Sequence, residues 1–222
     1  MKIELNHVTK MISRRLVIDD ISLKLEGGKI WGFKGINGSG KTMLMRVISG
    51  LIKPDSGSVI IDSKVLWKDI SFPESIGILI EAPAFLDGLT GFQNLKVLAS
   101  IKNKISDDQI KQAISDVGLN PNLSKKYKAY SLGMKQRLGI AAALMEKPDI
   151  ILLDEPTNAL DVDGVELIKK LTRRERDRGA LVVVSCHDEA IITELSDEII
   201  YLSEGKVVET MDRSEGDEKT VV

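Results

Sequence analysis

Hydrophobic and polar residues alternate in several short runs over the first part of the chain. In VIDDISLKL, for example, the apolar residues Ile18, Ile21, Leu23 and Leu25 are separated by polar ones, and Gly27 with Gly28 marks a turn. An alternation of this kind is typical of strands with one buried face. We therefore predict a small antiparallel β layer within residues 2–34.

A helical pattern follows the glycine-rich residues 35–40. In TMLMRVISG the apolar residues fall on one helical face, and Gly50 is placed as a C-terminal cap. The later segments SVIID and SIGILI are predicted strands, and SIGILI is apolar nearly throughout, which is typical of a strand covered on both faces. The order is therefore strand, glycine-rich loop, helix and further strands.

The strand pattern stops between Thr90 and Lys128. Two helices are predicted there, in GFQNLKVLAS and SDDQIKQAISDVG, and Ser106 with Gln109 matches a capping box at the start of the second. We interpret residues 90–128 as a helical subdomain inserted into a core formed by residues 1–89 and 129–212.

After the insertion, helices and buried strands alternate. A helix is predicted from Ser131 to Pro148, and the strand PDIILLDEP, the helix DVDGVELIKKLTRRERDRG, the strand ALVVVS and the helix DEAIITEL follow it. Strands that alternate with helices indicate an α/β fold, with a mostly parallel sheet flanked by helices. The last ten residues, 213–222, are predicted to be a loose polar tail.

Composition narrows the function classes. The chain has 222 residues, of which 43% are hydrophobic, and this is enough for a sizeable core. A net charge of -2 gives no general field toward nucleic acid, so no nucleic-acid partner is expected. Cys186 is the single cysteine, which excludes an internal disulfide. Because His7 and His187 are the only histidines, a structural zinc site is not expected. An intracellular compartment fits this cysteine usage.

The chain shows no sign of a membrane segment of its own. Met1 leads directly into the alternating KIELNHVT, which does not match a secretion signal, and no lipid anchor is expected. No stretch reaches the about 18 uninterrupted apolar residues that a spanning helix needs. If the protein acts at a membrane, another chain would supply the membrane part.

The segment GINGSGKT, residues 35–42, has the form G-x-x-x-x-G-K-[ST]. Its glycines let backbone N–H groups turn inward around phosphates at a helix N-terminus. Lys41 would neutralise the β and γ phosphates, and Thr42 would offer its hydroxyl to Mg²⁺. The alternative is a glycine-rich turn with a chance lysine, but the position between a strand and a helix favours nucleotide binding. The predicted nucleotide contacts are Gly35, Asn37, Gly38, Ser39, Gly40, Lys41, Thr42 and Met43.

Polar residues follow two of the buried strands. Asp154 and Glu155 end the strand in ILLDEP, and His187 follows ALVVVS, so all three should lie where open α/β sheets bind ligands. Asp154 would hold Mg²⁺, Glu155 would orient or deprotonate the attacking water, and His187 could donate a hydrogen bond to the γ-phosphate. Solvated acids and a loop histidine are the alternatives. A nucleophilic pair of Cys186 and His187 is disfavoured because adjacent side chains on an extended chain point apart.

Taken together and in this order, GINGSGKT, YSLGMKQRLGIAAAL, DIILLDEPTNALD and SCH resemble the ATP-binding subunit of an ABC transporter. The resemblance implies a P-loop NTPase fold, ATP with Mg²⁺, and a homodimer that sandwiches two nucleotides. YSLGMKQ corresponds to the family signature, in which Ser131 and Gly133 would bind the γ-phosphate of ATP held by the second subunit. Ser131 is also a good helix N-cap and could serve as that alone. NALD, residues 158–161, resembles the loop that connects the paired sites.

The resemblance also implies a place in the cell. An ATPase of this family works on a separate integral membrane permease, so the expected location is cytoplasmic and peripheral, at the inner face of the membrane. There are two alternatives: a soluble relative that acts on DNA or ribosomes, and a nucleotide sensor without turnover. The soluble relatives carry a coiled-coil insertion or a second domain, and neither is found in this sequence. Glu155 argues against a sensor without turnover.

Four positions depart from the family pattern. The signature has Leu132 and Met134 where glycine and glutamine are usual, and Ile12 stands where an aromatic residue usually stacks on adenine. Glu81 follows the strand SIGILI in place of a glutamine that ligates Mg²⁺ and senses the membrane partner. This glutamate and the SLGM signature resemble the subunits that export bacitracin-like and lantibiotic peptides. Glu81 would then be a metal ligand, although an exposed acid at a strand end is the alternative.

Overall fold

The structure is a computed structural model that describes residues 1–212 and 219–221. The strands, in chain order, are β1 (Lys2–Ile12), β2 (Arg15–Glu26), β3 (Lys29–Lys34), β4 (Ser56–Ile61), β5 (Lys64–Val65), β6 (Ile76–Leu79), β7 (Ile150–Asp154), β8 (Leu181–Ser185), β9 (Glu198–Ser203), β10 (Lys206–Asp212) and β11 (Lys219–Val221). The helices are α1 (Lys41–Ile48), α2 (Gly91–Lys102), α3 (Asp107–Asp116), α4 (Leu132–Leu144), α5 (Val162–Asp177) and α6 (Glu189–Leu195).

The predicted small antiparallel layer is confirmed for β1 and β2. They form a four-stranded sheet of order β2-β1-β4-β5, in which Ile3 of β1 pairs with Leu25 on one side and with Ile61 on the other. These three side chains are buried, whereas their polar neighbours along the strands are more exposed. Alternation therefore places one face of this sheet against the core.

The prediction is wrong for β3, which lies in a different sheet. A seven-stranded sheet has the order β11-β10-β9-β3-β8-β7-β6, and β3 is parallel to both of its neighbours. The reason is visible in its burial, because consecutive residues such as Ile30 and Trp31 are both buried. A strand covered on both faces does not alternate.

The edge of the seven-stranded sheet formed by β9, β10 and β11 was not predicted from the sequence. β9 and β10 form an antiparallel hairpin there, and β11 pairs with β10. The predicted loose tail is therefore wrong at Lys219–Val221, which form a strand. The other tail residues, 213–218 and 222, lie outside the described residues.

β6 is the other edge strand, and this corrects a second expectation. Ile78 is exposed, so the segment SIGILI is not covered on both faces. Gly77, on its inner face, lies so close to α4 that an added Cβ would be 1.8 Å from the carbonyl oxygen of Ala143. A glycine is thus required where α4 crosses the edge of the sheet.

The helical insertion contains α2 and α3, and both begin with a capping box. Ser106 and Gln109 form the predicted box, and Thr90 and Gln93 form a second one that the sequence analysis missed. α4 ends at Leu144 rather than at Pro148, since Lys147 takes a left-handed conformation before the proline. The division into core, insertion and tail stays a prediction.

The core lies on both faces of the seven-stranded sheet. On one face, Ile151 and Val182 pack with the buried sides of helices α2 to α6. On the other, Phe33 and Leu152 pack with α1 and the small sheet. The parallel strands β3, β7 and β8 are therefore held between two layers, and their carboxyl ends are fixed relative to α1.

Candidate functional site

Residues 35–42, hereafter the phosphate loop, connect the carboxyl end of β3 to α1. Gly40 is the N-cap of α1 and has a φ of 109°, a left-handed conformation that favours glycine. At Gly35 an added Cβ would lie 2.3 Å from the carbonyl oxygen of Leu202. Both glycines are therefore required by the path of the backbone, and the loop delivers the N-terminus of α1 to the sheet edge.

The ammonium of Lys41 lies over this loop. Its Nζ donates hydrogen bonds to the carbonyl oxygens of Gly35, at 2.6 Å, and Ile36, at 3.2 Å, and the residue is buried. The hydroxyl of Ser39 is also buried and has no hydrogen-bond partner among the described residues. A fixed cation, an unused hydroxyl and a helix N-terminus together suit an anion such as phosphate.

Asp154 lies at the carboxyl end of β7 and is held by two hydroxyls. Thr42 Oγ1 donates to Asp154 Oδ2 at 2.7 Å, and Ser185 Oγ donates to Asp154 Oδ1. Asp154 is buried, and its strand register places it opposite Ser185 of β8. The structure thus brings two of the predicted metal ligands, Thr42 and Asp154, into direct contact across 112 residues of sequence.

Glu155 turns away from Asp154. Its φ of 50° is left-handed, which is uncommon for a residue with a side chain. Its N–H donates to the carbonyl oxygen and to Oγ of Ser185, both at 3.1 Å. The two acids therefore do point to different places, as their separate predicted roles require.

His187 contacts Glu155 directly. His187 Nδ1 is hydrogen-bonded to Glu155 Oε2 at 2.7 Å, and the His187 N–H donates to the same oxygen at 3.3 Å. The imidazole is largely exposed, whereas the Glu155 side chain is mostly covered. This contact orients a carboxylate at the surface of the site, next to the end of β8.

The thiol of Cys186 is buried and is not suited to act as a nucleophile. Burial raises the pKa of its thiol, and its Sγ lies 3.6 Å from Thr157 Oγ1. His187 contacts Glu155 instead. A thiol of this kind is a poor nucleophile, because the thiolate is the reactive form.

The donors at Asp154 fit a hard cation. A hydroxyl and a carboxylate, both oxygen ligands, already lie within hydrogen-bonding distance of each other. Within residues 1–212 and 219–221, no group of three or more His, Cys, Asp or Glu side chains could hold a metal alone. Mg²⁺ usually takes one or two carboxylates and completes its coordination with waters and substrate phosphates, so this sparse donor set suits it.

Glu81 does not join Asp154 in the structure. It follows β6 with a φ of 61°, is exposed, and forms an ion pair with Arg46 of α1. Its predicted role as a metal ligand stays a prediction. The arginine is a partner that the sequence analysis did not identify.

Ser131 and Gly133 lie at the start of α4. Ser131 Oγ accepts a hydrogen bond from the Met134 N–H at 3.2 Å, which confirms the N-cap. An added Cβ on Gly133 would lie 2.8 Å from the carbonyl oxygen of Ala159, in the loop of residues 158–161. Among the described residues, the Ser131 hydroxyl makes no hydrogen bond to the phosphate loop of its own chain.

Ile12 ends β1 at the hairpin with β2. It pairs with Arg15 and is exposed together with Met11 and Leu16. The position that should face adenine therefore presents aliphatic side chains. Such a surface can pack against a base but offers no aromatic ring for stacking.

Three supporting residues were missed by the sequence analysis. Ser185 Oγ donates a hydrogen bond to Asp154 and accepts one from the Glu155 N–H. Gln136 of α4 is buried and donates through Nε2 to the carbonyl oxygen of Glu155 at 3.0 Å. Arg137 donates at 3.0 Å to the carbonyl oxygen of Val117 and, also at 3.0 Å, to Asp161 Oδ1. The one sequence signal is position, because Gln136 is the last residue of the signature segment YSLGMKQ and Arg137 directly follows it.

Comparison with known proteins decides the family. The family model described as ABC transporter matches residues 18–158, which include the phosphate loop, the signature segment and both acids. The chain belongs to the ABC transporter family. This confirms the family resemblance, and the chain is the ATP-binding subunit of an ABC transporter and an ATP hydrolase of the ABC type.

Several relatives are ABC transporter subunits. An uncharacterized ABC transporter ATP-binding protein of Bacillus subtilis, YybJ, is 47% identical over 92% of this chain and 94% of the relative. The bacitracin transport ATP-binding protein BcrA of Enterococcus faecalis is 37% identical over 96% of this chain and 70% of the relative. The lantibiotic transport ATP-binding protein SrtF of Streptococcus pyogenes is 31% identical over 93% of this chain and 89% of the relative. The resemblance to peptide-transport subunits is therefore confirmed among its relatives.

Solved ABC structures share the fold. A dimeric post-hydrolysis state of the cassette MJ0796 with ADP and Pi has a TM-score of 0.84 at 26% identity, covering 95% of this chain and 98% of that one. The cbiO1 protein of Clostridium perfringens, part of the cbiONQ transporter complex, has a TM-score of 0.80 at 26% identity, with coverages of 96% and 89%. These neighbours confirm the predicted P-loop NTPase fold. In the described part of this chain, no helix has the length and apolar character required to cross a membrane.

Proposed function

We propose that this ABC ATPase powers a separate integral membrane permease that exports an antimicrobial peptide or drug. The relatives named for bacitracin and lantibiotic transport support this cargo class. Glu81 and the SLGM signature, which are shared with that subfamily by resemblance, support it as well. The protein would then be cytoplasmic and peripheral, bound to the inner face of the membrane through its permease.

The catalytic unit is a homodimer that encloses two ATP molecules. One observation carries this proposal: Ser131 caps an exposed helix start, and within the described residues its hydroxyl makes no hydrogen bond to the phosphate loop of the same chain. A second copy could bring its signature segment onto that loop in a two-fold arrangement. The MJ0796 cassette, described as dimeric, supports the same arrangement.

The surface around these segments is suited to association. Ile36 of the phosphate loop is 79% exposed, Leu132 of the signature is 68% exposed, and Val162 at the start of α5 is 80% exposed. Large apolar side chains on three functional segments are costly to leave in water, and their burial between two copies would favour the dimer.

Each proposed ligand contact has a physical task. Backbone N–H donors would surround the phosphates, from Gly35, Asn37, Gly38, Ser39 and Gly40 of the phosphate loop and from Met43, which follows it on α1. Lys41 and the second subunit's copy of the signature neutralise charge on the γ-phosphate, and His187 donates a hydrogen bond to it. Thr42 and Asp154 would hold Mg²⁺, with Glu81 as a further ligand, and the ion would neutralise phosphate charge when bound.

Glu155 is the proposed general base for the attacking water. His187 Nδ1 and the Gln136 amide fix its side chain and backbone, so the carboxylate is held at the end of β7. General-base catalysis typically contributes about 10²- to 10⁴-fold to a rate. Loss of the Glu155 carboxylate should therefore nearly abolish turnover and leave the proposed phosphate-binding groups in place.

The test is Glu155→Gln, with Glu166→Gln as control. Glu166 is an exposed acid of α5 that pairs with Lys169. We expect Glu155→Gln to lose phosphate release, to retain ATP and to accumulate as a dimer by light scattering when ATP and Mg²⁺ are present. Glu166→Gln should behave as wild type. Near-normal hydrolysis by Glu155→Gln would reject Glu155 as the base.

Export is tested in cells that carry the permease. We expect the wild type to raise resistance to a bacitracin-like or lantibiotic peptide, and Glu155→Gln to lose this protection while still sedimenting with the membrane fraction. Phosphate release should increase when the permease is present. Association with ribosomes or DNA instead of membranes would favour the soluble ATPase, and unchanged resistance would reject the cargo class.

A further inference from the structure

The ion pair between Arg46 and Glu81 joins two elements of the site. Arg46 lies four residues after Thr42 on α1, so the two side chains occupy neighbouring positions on one helical face. Glu81 follows β6, and its carboxylate is paired with the Arg46 guanidinium. The arginine therefore reaches across from the helix of the phosphate loop to the end of the edge strand.

The same carboxylate stands near the metal-binding pair by sheet geometry. β6 is the direct neighbour of β7, with Leu79 opposite Leu153. Asp154 is the next residue of β7, and it already contacts Thr42. Glu81 leaves its strand at the same sheet edge, two residues after Leu79, so Arg46 and a cation at Thr42 and Asp154 are both placed to attract it.

The pair is also free to open. The side chains of Arg46 and Glu81 are 29% and 63% exposed, so neither charge is locked in the interior. Exposed ion pairs are weak, and a doubly charged ion is a stronger partner for a carboxylate than one guanidinium. A neutral glutamine, usual at this position in the family, would not form an ion pair with Arg46.

We propose that Arg46 is a positioning residue that competes with the metal ion for the Glu81 carboxylate. The competition sets the cation concentration at which the nucleotide site is loaded. This inference rests on the proposed role of Glu81 as a metal ligand. Removing Arg46 frees the carboxylate, so a cation should bind more tightly, and the gain should require Glu81.

The experiment measures binding of Mn²⁺, a paramagnetic substitute for Mg²⁺, by electron paramagnetic resonance in the presence of ADP. The proteins are the full-length wild type, Arg46→Gln, Glu81→Gln and the double variant. Lys64→Gln is the matched control, because Lys64 forms another exposed ion pair, with Glu74. Circular dichroism and ADP affinity are recorded for each protein to show that folding and nucleotide binding are retained.

We expect Arg46→Gln to lower the apparent Kd for Mn²⁺ about 1.4- to fivefold, the range that follows from an exposed ion pair. The Kd of the double variant should equal that of Glu81→Gln, and Lys64→Gln should match wild type. These results would support the competition.

Three other outcomes would overturn it in distinguishable ways. If Glu81→Gln weakens Mn²⁺ binding but Arg46→Gln changes nothing, Glu81 is a ligand and Arg46 is no competitor. If Arg46→Gln weakens binding, the arginine holds Glu81 toward the ion instead. If Glu81→Gln leaves the Kd unchanged, the metal role of Glu81 itself fails and the inference fails with it.

Discussion

Ser185 is hydrogen-bonded to both acids at the end of β7, Asp154 and Glu155. It lies at the end of β8, is fully buried, and donates its hydroxyl to Asp154 Oδ1. Ser185 Oγ also accepts a hydrogen bond from the Glu155 N–H at 3.1 Å. We therefore predict that Ser185→Ala destabilises the protein and slows ATP hydrolysis.

The magnitude follows from the groups that lose a partner. Asp154 is 6% exposed, so water cannot easily replace the lost donor. Hydrogen bonds to charged groups contribute about 1.5–3 kcal/mol. The Glu155 N–H keeps the Ser185 carbonyl oxygen as an acceptor and adds little to this cost. For a chain of this size, the change corresponds to a decrease in Tm of about 3–12 °C.

The assay is urea unfolding of the free protein followed by circular dichroism, combined with phosphate release at saturating ATP. Ser203→Ala is the control, because Ser203 is exposed at the end of β9. Ser185→Ala should lower the free energy of unfolding by about 1.5–3 kcal/mol, and Ser203→Ala by less than about 0.5 kcal/mol. Equal effects of the two substitutions would refute the reasoning.

Two further predictions concern the signature and the cysteine. Gly133→Ala places a Cβ 2.8 Å from the Ala159 carbonyl oxygen. We therefore expect turnover to fall about 10- to 100-fold, while the monomer still binds a fluorescent ATP analogue. A parallel loss of turnover and of analogue binding would contradict this prediction. Burial raises the pKa of Cys186, so its contribution to stability is complete below the unfolded value of about 8.5 and is lost as pH rises above it. At pH 8 a disulfide reagent should label the thiol only after unfolding, and rapid labelling of the native protein would contradict the burial.

The sequence alone determined the features that depend on local backbone chemistry. The phosphate loop could be predicted because Gly40 must adopt a left-handed conformation before α1, and this requirement belongs to a single residue. The N-caps at Ser106 and Ser131 could be predicted because each hydroxyl binds a backbone N–H three residues later. The buried strands β7 and β8 were predicted from continuous apolar runs, which also placed Asp154 at a strand end.

The tertiary structure decided everything that depends on which strands are neighbours. β3 was assigned to the wrong layer because the apolar pattern of a short strand gives no information about its partners in a sheet. The contacts of Ser185 with Asp154 and of Arg46 with Glu81 join residues that are 31 and 35 positions apart. Local periodicity specifies the type of an element and its buried face, whereas these contacts arise only after β6, β7 and β8 lie side by side. The sequence therefore predicted the phosphate loop and the acids of the candidate site, and the order of the strands determined which side chains hold those acids in place.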